Sequence, residues 1–281
     1  MIAASSDLLI VGGLTIDRFA DGSAAAGGSV LHAARATVAA GWRVATITAA
    51  GPEPEAAAAV EELAGLGPSL VRMVPGSIRY EIRESGVRRR LTLEAAAAEL
   101  PVTAADVRAF QAAAVLLAPV AGELSAESVV SSRSSPVVVA ALQGWLRSLE
   151  PGKVVRPLPL ASLDGDLATA LDHLDAMVAS EEDLAAVGAD PIAQLVTLRR
   201  QVGDRPLIVV TTGADGAWVD DGSRGRHHLP APRSLEGIST VGAGDAFAAL
   251  LALALGAGHD RLAAATAAVA ATSELLAALS G

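Results

Sequence analysis

Short, uninterrupted apolar runs recur along this chain, with helical patterning between them. Leu8–Val11, Val44–Thr48, Val115–Ala118, Val137–Ala141, Ala176–Ala179 and Leu207–Thr211 are each four or five residues long. A strand without polar alternation must be covered on both faces, as in a parallel sheet. Between the first two runs, Ser29–Ala40 places Val30, Leu31, Ala34 and Val38 at helical spacing. Gly41 stands where such a helix would be capped. Glu55–Leu66 reads as the next helix. Strand–helix–strand units pair in parallel through right-handed crossovers. The expected fold class is therefore α/β: three layers, with a central, mostly parallel sheet and helices on both faces. Late in the chain, Ala217–Val219 and Arg226–Leu229 flank Asp-Gly turns and predict an antiparallel pair. Two Ala/Leu-rich helices, Gly244–Leu255 and Asp260–Ala278, follow. No repeat or Pro/Gly/Ser-rich linker interrupts the pattern, so residues 1–281 are expected to form a single domain.

Ser77–Leu93 breaks the rhythm. It alternates polar and apolar residues around Ser85-Gly86, which predicts a two-stranded hairpin with one wet face. Such an insertion serves as an edge or as a lid. Its Arg88-Arg89-Arg90 run reads first as a solvated face.

Composition narrows the function. Alanine dominates a 52% hydrophobic chain with only 2% aromatic residues, which favours close-packed helices over an aromatic nucleic-acid platform. The net charge of -10 disfavours nucleic acid and anionic membrane surfaces as partners. The absence of cysteine excludes disulfides, thiol catalysis and cysteine-held metals. The longest apolar run, Ala246–Ala257, is too short to span a bilayer. The N-terminal segment lacks the basic start of a signal peptide, so a cytoplasmic location is expected. Lys153 is the only lysine and is followed by Val154, so no GxxxxGK[ST] loop exists.

The segment richest in chemistry is Ser239-Thr240-Val241-Gly242-Ala243-Gly244-Asp245, which runs into an apolar helix. Gly242 and Gly244 leave bare backbone at a helix N-terminus, where free N–H groups and the helix dipole make an anion site. Asp245 beside them is explained either as a stabilising first-turn charge or as a proton acceptor. Phosphoryl transfer needs both parts together: amides for the moving charge and a carboxylate for the proton of an attacking hydroxyl.

This segment resembles the DTxGAGD signature of the ribokinase-like (PfkB) carbohydrate kinases, and the resemblance extends over nearly the whole chain. Val11-Gly12-Gly13-Leu14-Thr15-Ile16-Asp17 is similar to the family's first strand and its substrate aspartate. Gly27-Gly28 before a helix is similar to its first glycine signature. Val210-Thr211-Thr212-Gly213 with Gly216 is similar to its VTxGxxG strand. The resemblance implies Asp245 as general base, with the Gly242, Ala243 and Gly244 amides as anion hole. It implies Thr211, Gly213, Gly216 and Ser180 around ATP, Asp183 toward Mg2+, and Asp17, Gly28 and His32 at the acceptor. It also implies a small, reduced β lid from residues of about 14–27 and 77–93.

The sequence departs from the family pattern in places. Ser239 replaces the signature's first aspartate. Ser180-Glu181-Glu182-Asp183 stands for NxxE, and His32 stands near the family's asparagine. Gln143-Gly144-Trp145-Leu146-Arg147 is similar to a QGxLR variant of a substrate-side loop. It brings Gln143 and Arg147 to the acceptor edge, while Trp145 reads equally as a packing anchor. His227-His228 on one strand would point to opposite faces and cannot easily share an ion.

The expected function is transfer of the ATP γ-phosphoryl group, with Mg2+, to a hydroxyl of a small sugar or cyclitol. A nucleoside acceptor remains open, although stacking side chains are few. So does a catalytically degenerate small-molecule-binding regulatory protein. An exposed lid edge leaves room for a homodimer.

Overall fold

The computed structural model describes residues 5–85, 88–232 and 241–278. Its strands are β1 (Leu8–Gly12), β2 (Thr15–Phe19), β3 (Ala24–Gly27), β4 (Val44–Ala50), β5 (Ser69–Met73), β6 (Ile78–Ser85), β7 (Arg88–Ala95), β8 (Ala114–Ala118), β9 (Val138–Ala141), β10 (Ala176–Ser180), β11 (Leu207–Thr211), β12 (Ala217–Asp220) and β13 (Arg226–Leu229). The helices are α1 (Ser29–Ala39), α2 (Pro54–Leu66), α3 (Ala104–Ala109), α4 (Ala126–Ser132), α5 (Gly165–Leu171), α6 (Pro191–Val202), α7 (Ala243–Gly256) and α8 (Arg261–Ala278).

Nine strands form the central sheet in the order β13-β12-β11-β10-β9-β8-β1-β4-β5. All its pairings are parallel except β11–β12 and β12–β13. The apolar runs behave as double-faced strands should. Leu8 and Ile10 join the core under α1, α2, α7 and α8, while Leu9 and Val11 join the one under α3 to α6. This is the expected three-layer α/β fold. Strand β5 carries no clear sequence signal, because an edge strand half open to water needs no continuous apolar run.

The Ser77–Leu93 hairpin is present, with Ile78, Tyr80, Ile82 and Leu93 on its buried face. It is not alone. β2 pairs with β6 in parallel and with β3 in antiparallel, giving a four-stranded lid sheet, β3-β2-β6-β7. The Ala24–Gly27 strand lacks the contrast between faces that sequence reading relies on, so only its pairing with β2 reveals it. Gly86 and Ser239 lie outside the described residues. Helix α8 is long and apolar enough to cross a membrane by length and composition alone. Here Ala264, Ala265, Ala268 and Val269 are buried in the core that α7 shares.

The far end of the sheet is tied by a buried ion pair. The Arg199 guanidinium on α6 donates to Asp220 Oδ1 at 3.0 Å and to the carbonyls of Asp220 (2.7 Å), Gly203 (2.9 Å) and Pro206 (2.8 Å). Burial raises the Asp220 carboxyl. The Gly222 amide and the Arg199 and Arg226 guanidinia outweigh that and hold it below the usual 3.8. A lowered carboxyl stabilises the fold above its unfolded pKa and loses that contribution as pH falls through the folded value. Arg199→Leu should leave Asp220 with Arg226 and the Gly222 amide alone and cost up to about 3 kcal/mol in urea unfolding at neutral pH. The deficit should shrink as pH falls from about 4, the unfolded value, through the lowered folded value.

Candidate active site

In an open parallel sheet, ligands bind beyond the carboxyl ends of the strands, where the strand order reverses. Here that point lies between β1 and β8. Gly12 lets the two strands approach, because a Cβ there would overlap the Ala118 carbonyl. The next turn is clamped by a residue the sequence reading did not single out. The buried Glu123 carboxylate accepts from the Val120 (2.9 Å) and Ala121 (2.8 Å) amides, and a Cβ on Gly13 would come within 2.7 Å of its Oε1. Burial pushes the Glu123 carboxyl up, against the backbone N–H groups of Ala121, Val120 and Gly13. The Tyr80 hydroxyl of the lid donates to the Val120 carbonyl at 2.9 Å. Its own burial pushes that phenol up to about 12. Lid and central sheet therefore meet at Val120.

Between them opens a polar cavity. Asp17, Gly28, His32, Gln143, Arg147, Gly242 and Asp245 line it together, drawn from four separate stretches of chain. Thr15 and Ser29 join them. The Thr15 hydroxyl donates to Asp17 Oδ1 at 2.9 Å and fixes that carboxylate. Gly28 has φ +101° and caps α1, where a Cβ would strike the Gly13–Thr15 backbone. The His32 ring packs against Gly242, itself left-handed at φ +78°. Trp145 anchors its loop, its indole donating to the Leu124 carbonyl at 2.7 Å.

A second cavity lies on the other side of the α7 N-terminus. Thr211, Gly213 and Gly216 line it, opposite Phe247, Val269, Thr272 and Leu276. Gly216 has a structural duty as well, since at φ +98° its Cβ would overlap the Leu229 carbonyl. The first residues of α7 divide the two cavities. Gly242 and Asp245 face the polar one, whereas Ala243 and Gly244 face the other. Among the described residues, no atom beyond its chain neighbours and the local helix backbone lies within 4 Å of a Cβ built on Gly244, which leaves room beside it.

Asp245 is a perturbed acid that lines the polar cavity. Burial pushes its carboxyl above the usual 3.8. The Ser29 hydroxyl, which hydrogen-bonds to it, and the nearby His32 and Arg147 oppose that rise, and Asp183 adds to it.

Ser180 and Asp183 stand at the end of β10, outside both cavities' linings. Asp183 Oδ2 accepts from the Ser180 amide (3.1 Å) and hydroxyl (2.7 Å), and Oδ1 accepts from Arg147 Nη2 at 3.2 Å. A divalent cation placed there would sit beside a guanidinium. Among the described residues, no group of three or more histidine or carboxylate side chains could hold a metal ion. The magnesium role that the resemblance implies for Asp183 would have to share its carboxylate with Ser180 and Arg147. His227 and His228 likewise go separate ways. Their Nε2 atoms pair with the Arg224 and Asp215 carbonyls, and the His228 ring lies 4.8 Å from that of Trp218.

The sequence matches the pfkB family carbohydrate kinase domain over residues 16–278. The chain belongs to this family. Solved structures agree in fold. A pyrophosphate-dependent kinase in the ribokinase family, complexed with a pyrophosphate analog and myo-inositol, superposes with a TM-score of 0.76 at 22% identity, over 96% of this chain and 95% of that one. Arabidopsis thaliana ribokinase, complexed with ribose and ATP, gives 0.72 at 17% identity, over 98% and 93%. Ribokinase from Cryptococcus neoformans var. grubii serotype A, in complex with ADP, gives 0.68 at 19% identity, over 97% and 94%. No curated protein matches this chain. The pfkB-family fold accounts for the sheet order, the lid and the position of the glycine-rich turn before α7.

Raised carboxyls have a stability signature. Asp245 favours the fold when protonated, below its unfolded pKa, and that contribution is lost as pH rises through the folded value. Asp245→Asn should therefore melt higher than the parent protein at pH 8, by about 2–4 °C for each kcal/mol relieved. The gap should close toward pH 4 in thermal melts.

Proposed function

We propose that this carbohydrate kinase transfers the γ-phosphoryl group of ATP to a hydroxyl of a small sugar or cyclitol held in the polar cavity. The observation that carries the reading is the division made by the α7 N-terminus, with Asp245 on the acceptor side and the Ala243 and Gly244 backbone on the donor side. Asp17 and Asp245 accept hydroxyl protons from a polyol, and Gln143 and His32 complete the ring of polar partners. The acceptor hydroxyl gives its proton to Asp245. Its oxygen bonds to the γ-phosphorus as the bond to the ADP oxygen breaks. The Gly242, Ala243 and Gly244 amides at the helix N-terminus stabilise the charge on the moving group. A carboxyl raised by burial is better matched to this work near neutral pH than an exposed aspartate. The two sheets enclose this one site and act as one domain.

The donor side favours ATP over pyrophosphate. Its wall is Ala214, Ala231, Phe247, Val269 and Leu276, an apolar slot suited to a purine, and among the described residues neither arginine nor lysine lines it. Magnesium enters this reading only as the counter-ion that ATP brings on its phosphates.

A nucleoside acceptor fits less well. The only aromatic ring at the polar cavity besides His32 is Tyr80, whose hydroxyl is tied to Val120. ADP release should be measured across sugars, cyclitols and nucleosides, with ATP and pyrophosphate as rival donors. The expected outcome is turnover on a polyol with ATP, reduced about 10²–10⁴-fold by Asp245→Asn. Turnover with pyrophosphate alone would overturn the donor assignment. ATP binding without turnover on any acceptor would favour a retired, ligand-sensing protein.

A further inference from the structure

Arg147 and Asp183 form an ion pair that ends inside the polar cavity, and the phosphoryl-transfer reading leaves its purpose open. We propose that Asp183 is the counter-charge that aims the Arg147 guanidinium at the transferring phosphoryl group, rather than a carboxylate that serves magnesium. The inference rests on the phosphoryl-transfer reading.

Three observations carry it. First, Asp183 is locked before Arg147 reaches it. Ser180 and Asp183 form a reciprocal box, in which the Asp183 amide donates to Ser180 Oγ at 3.0 Å while the Ser180 hydroxyl and amide donate to Oδ2. Oδ1 is thereby turned toward Arg147, and the Asp183 side chain is only 6% exposed. Second, the backbone that carries Arg147 is also fixed. Arg147 bridges Pro157, the Ser148 amide donates to the Arg156 carbonyl at 2.8 Å, and the Leu158 amide donates to the Leu146 carbonyl at 2.8 Å. Third, Arg147 lines the same cavity as Asp245 and Gly242. A guanidinium carries five N–H donors in a planar fork that suits phosphate oxygens. Anchored through Nη2, it adds positive charge to the cavity that Gly242 and Asp245 also line, so the moving group would meet a guanidinium as well as the helix N-terminus.

Asp183 then acts through Arg147, as a positioning residue, and a hydrogen-bonded, shielded pair loses much when one partner goes.

The test compares the parent protein with Asp183→Asn, Arg147→Lys, their double variant and Ser180→Ala. Steady-state kinetics on the accepted polyol are read beside Mn2+ affinity of the ADP-loaded protein, measured by electron paramagnetic resonance. Asp183→Asn should lower kcat roughly 10- to 100-fold, the loss of one charged hydrogen bond. Mn2+ affinity should stay within about twofold, and the double variant should be no slower than Arg147→Lys alone. Ser180→Ala should lower kcat by a smaller factor, again without moving Mn2+ affinity, and it keeps the test alive if Asp183→Asn fails to fold. Mn2+ affinity falling tenfold in Asp183→Asn would overturn the proposal and restore the metal role. Additive losses in the double variant would overturn it as well. If the parent shows no turnover, the kinase reading fails by itself. The Mn2+ measurement still decides whether Asp183 serves a metal.

Discussion

The reversal of strand order between β1 and β8 is the constraint on which the rest depends. Chain leaves β1 toward β4 on one side and returns to β8 on the other. The two outgoing loops therefore diverge and leave a crevice between them. Such a crevice exposes backbone polar groups, and they must be satisfied. Glu123 satisfies several at once, at the cost of burying a carboxylate. The same clamp gives the lid its footing, since Tyr80 reaches the Val120 carbonyl and β2 leaves directly from the Gly13 turn. The acceptor cavity is what remains between these fixed parts.

Helix α7 closes the crevice from beneath. Its apolar body fills the core with Phe247, Leu250 and Leu251, so its position is set by packing. Its N-terminus is thereby held at the wall between two cavities. A dipole end and a carboxylate are brought close together in partly dry surroundings, where each acts more strongly than in water. Burial makes Asp245 a costly ion, while Ser29, His32 and Arg147 keep it usable. Stability is given up locally where a buried carboxylate stands beside a helix N-terminus.

Much of this was legible in the chain. The apolar runs marked the central strands, because a strand covered on both faces cannot hide its composition. The Gly242-Ala243-Gly244-Asp245 turn was legible because a bare backbone at a helix start has few other uses. Asp17, Gly28, His32, Gln143 and Arg147, named from separate segments, converge on one cavity. Glu123, Thr15 and Ser29 were missed. Each is an ordinary residue whose role exists only through a partner distant in the fold or just across a turn. Strand β3 lies in the lid segment of about 14–27 that the resemblance implied, but its own residues did not mark it, because Ala24-Ala25-Ala26 has no polar and apolar faces to tell apart.

Asp183 shows where sequence stops. The resemblance implied a magnesium role for it, and in the structure its oxygens accept from Ser180 and from Arg147, 36 residues away in sequence. The sequence by itself determined what is local: strand periodicity, helix starts, and the glycines that free a backbone for an anion. Tertiary structure alone decided which charges meet. Pairing across a low-dielectric cavity depends on ångström distances between segments that local pattern cannot encode.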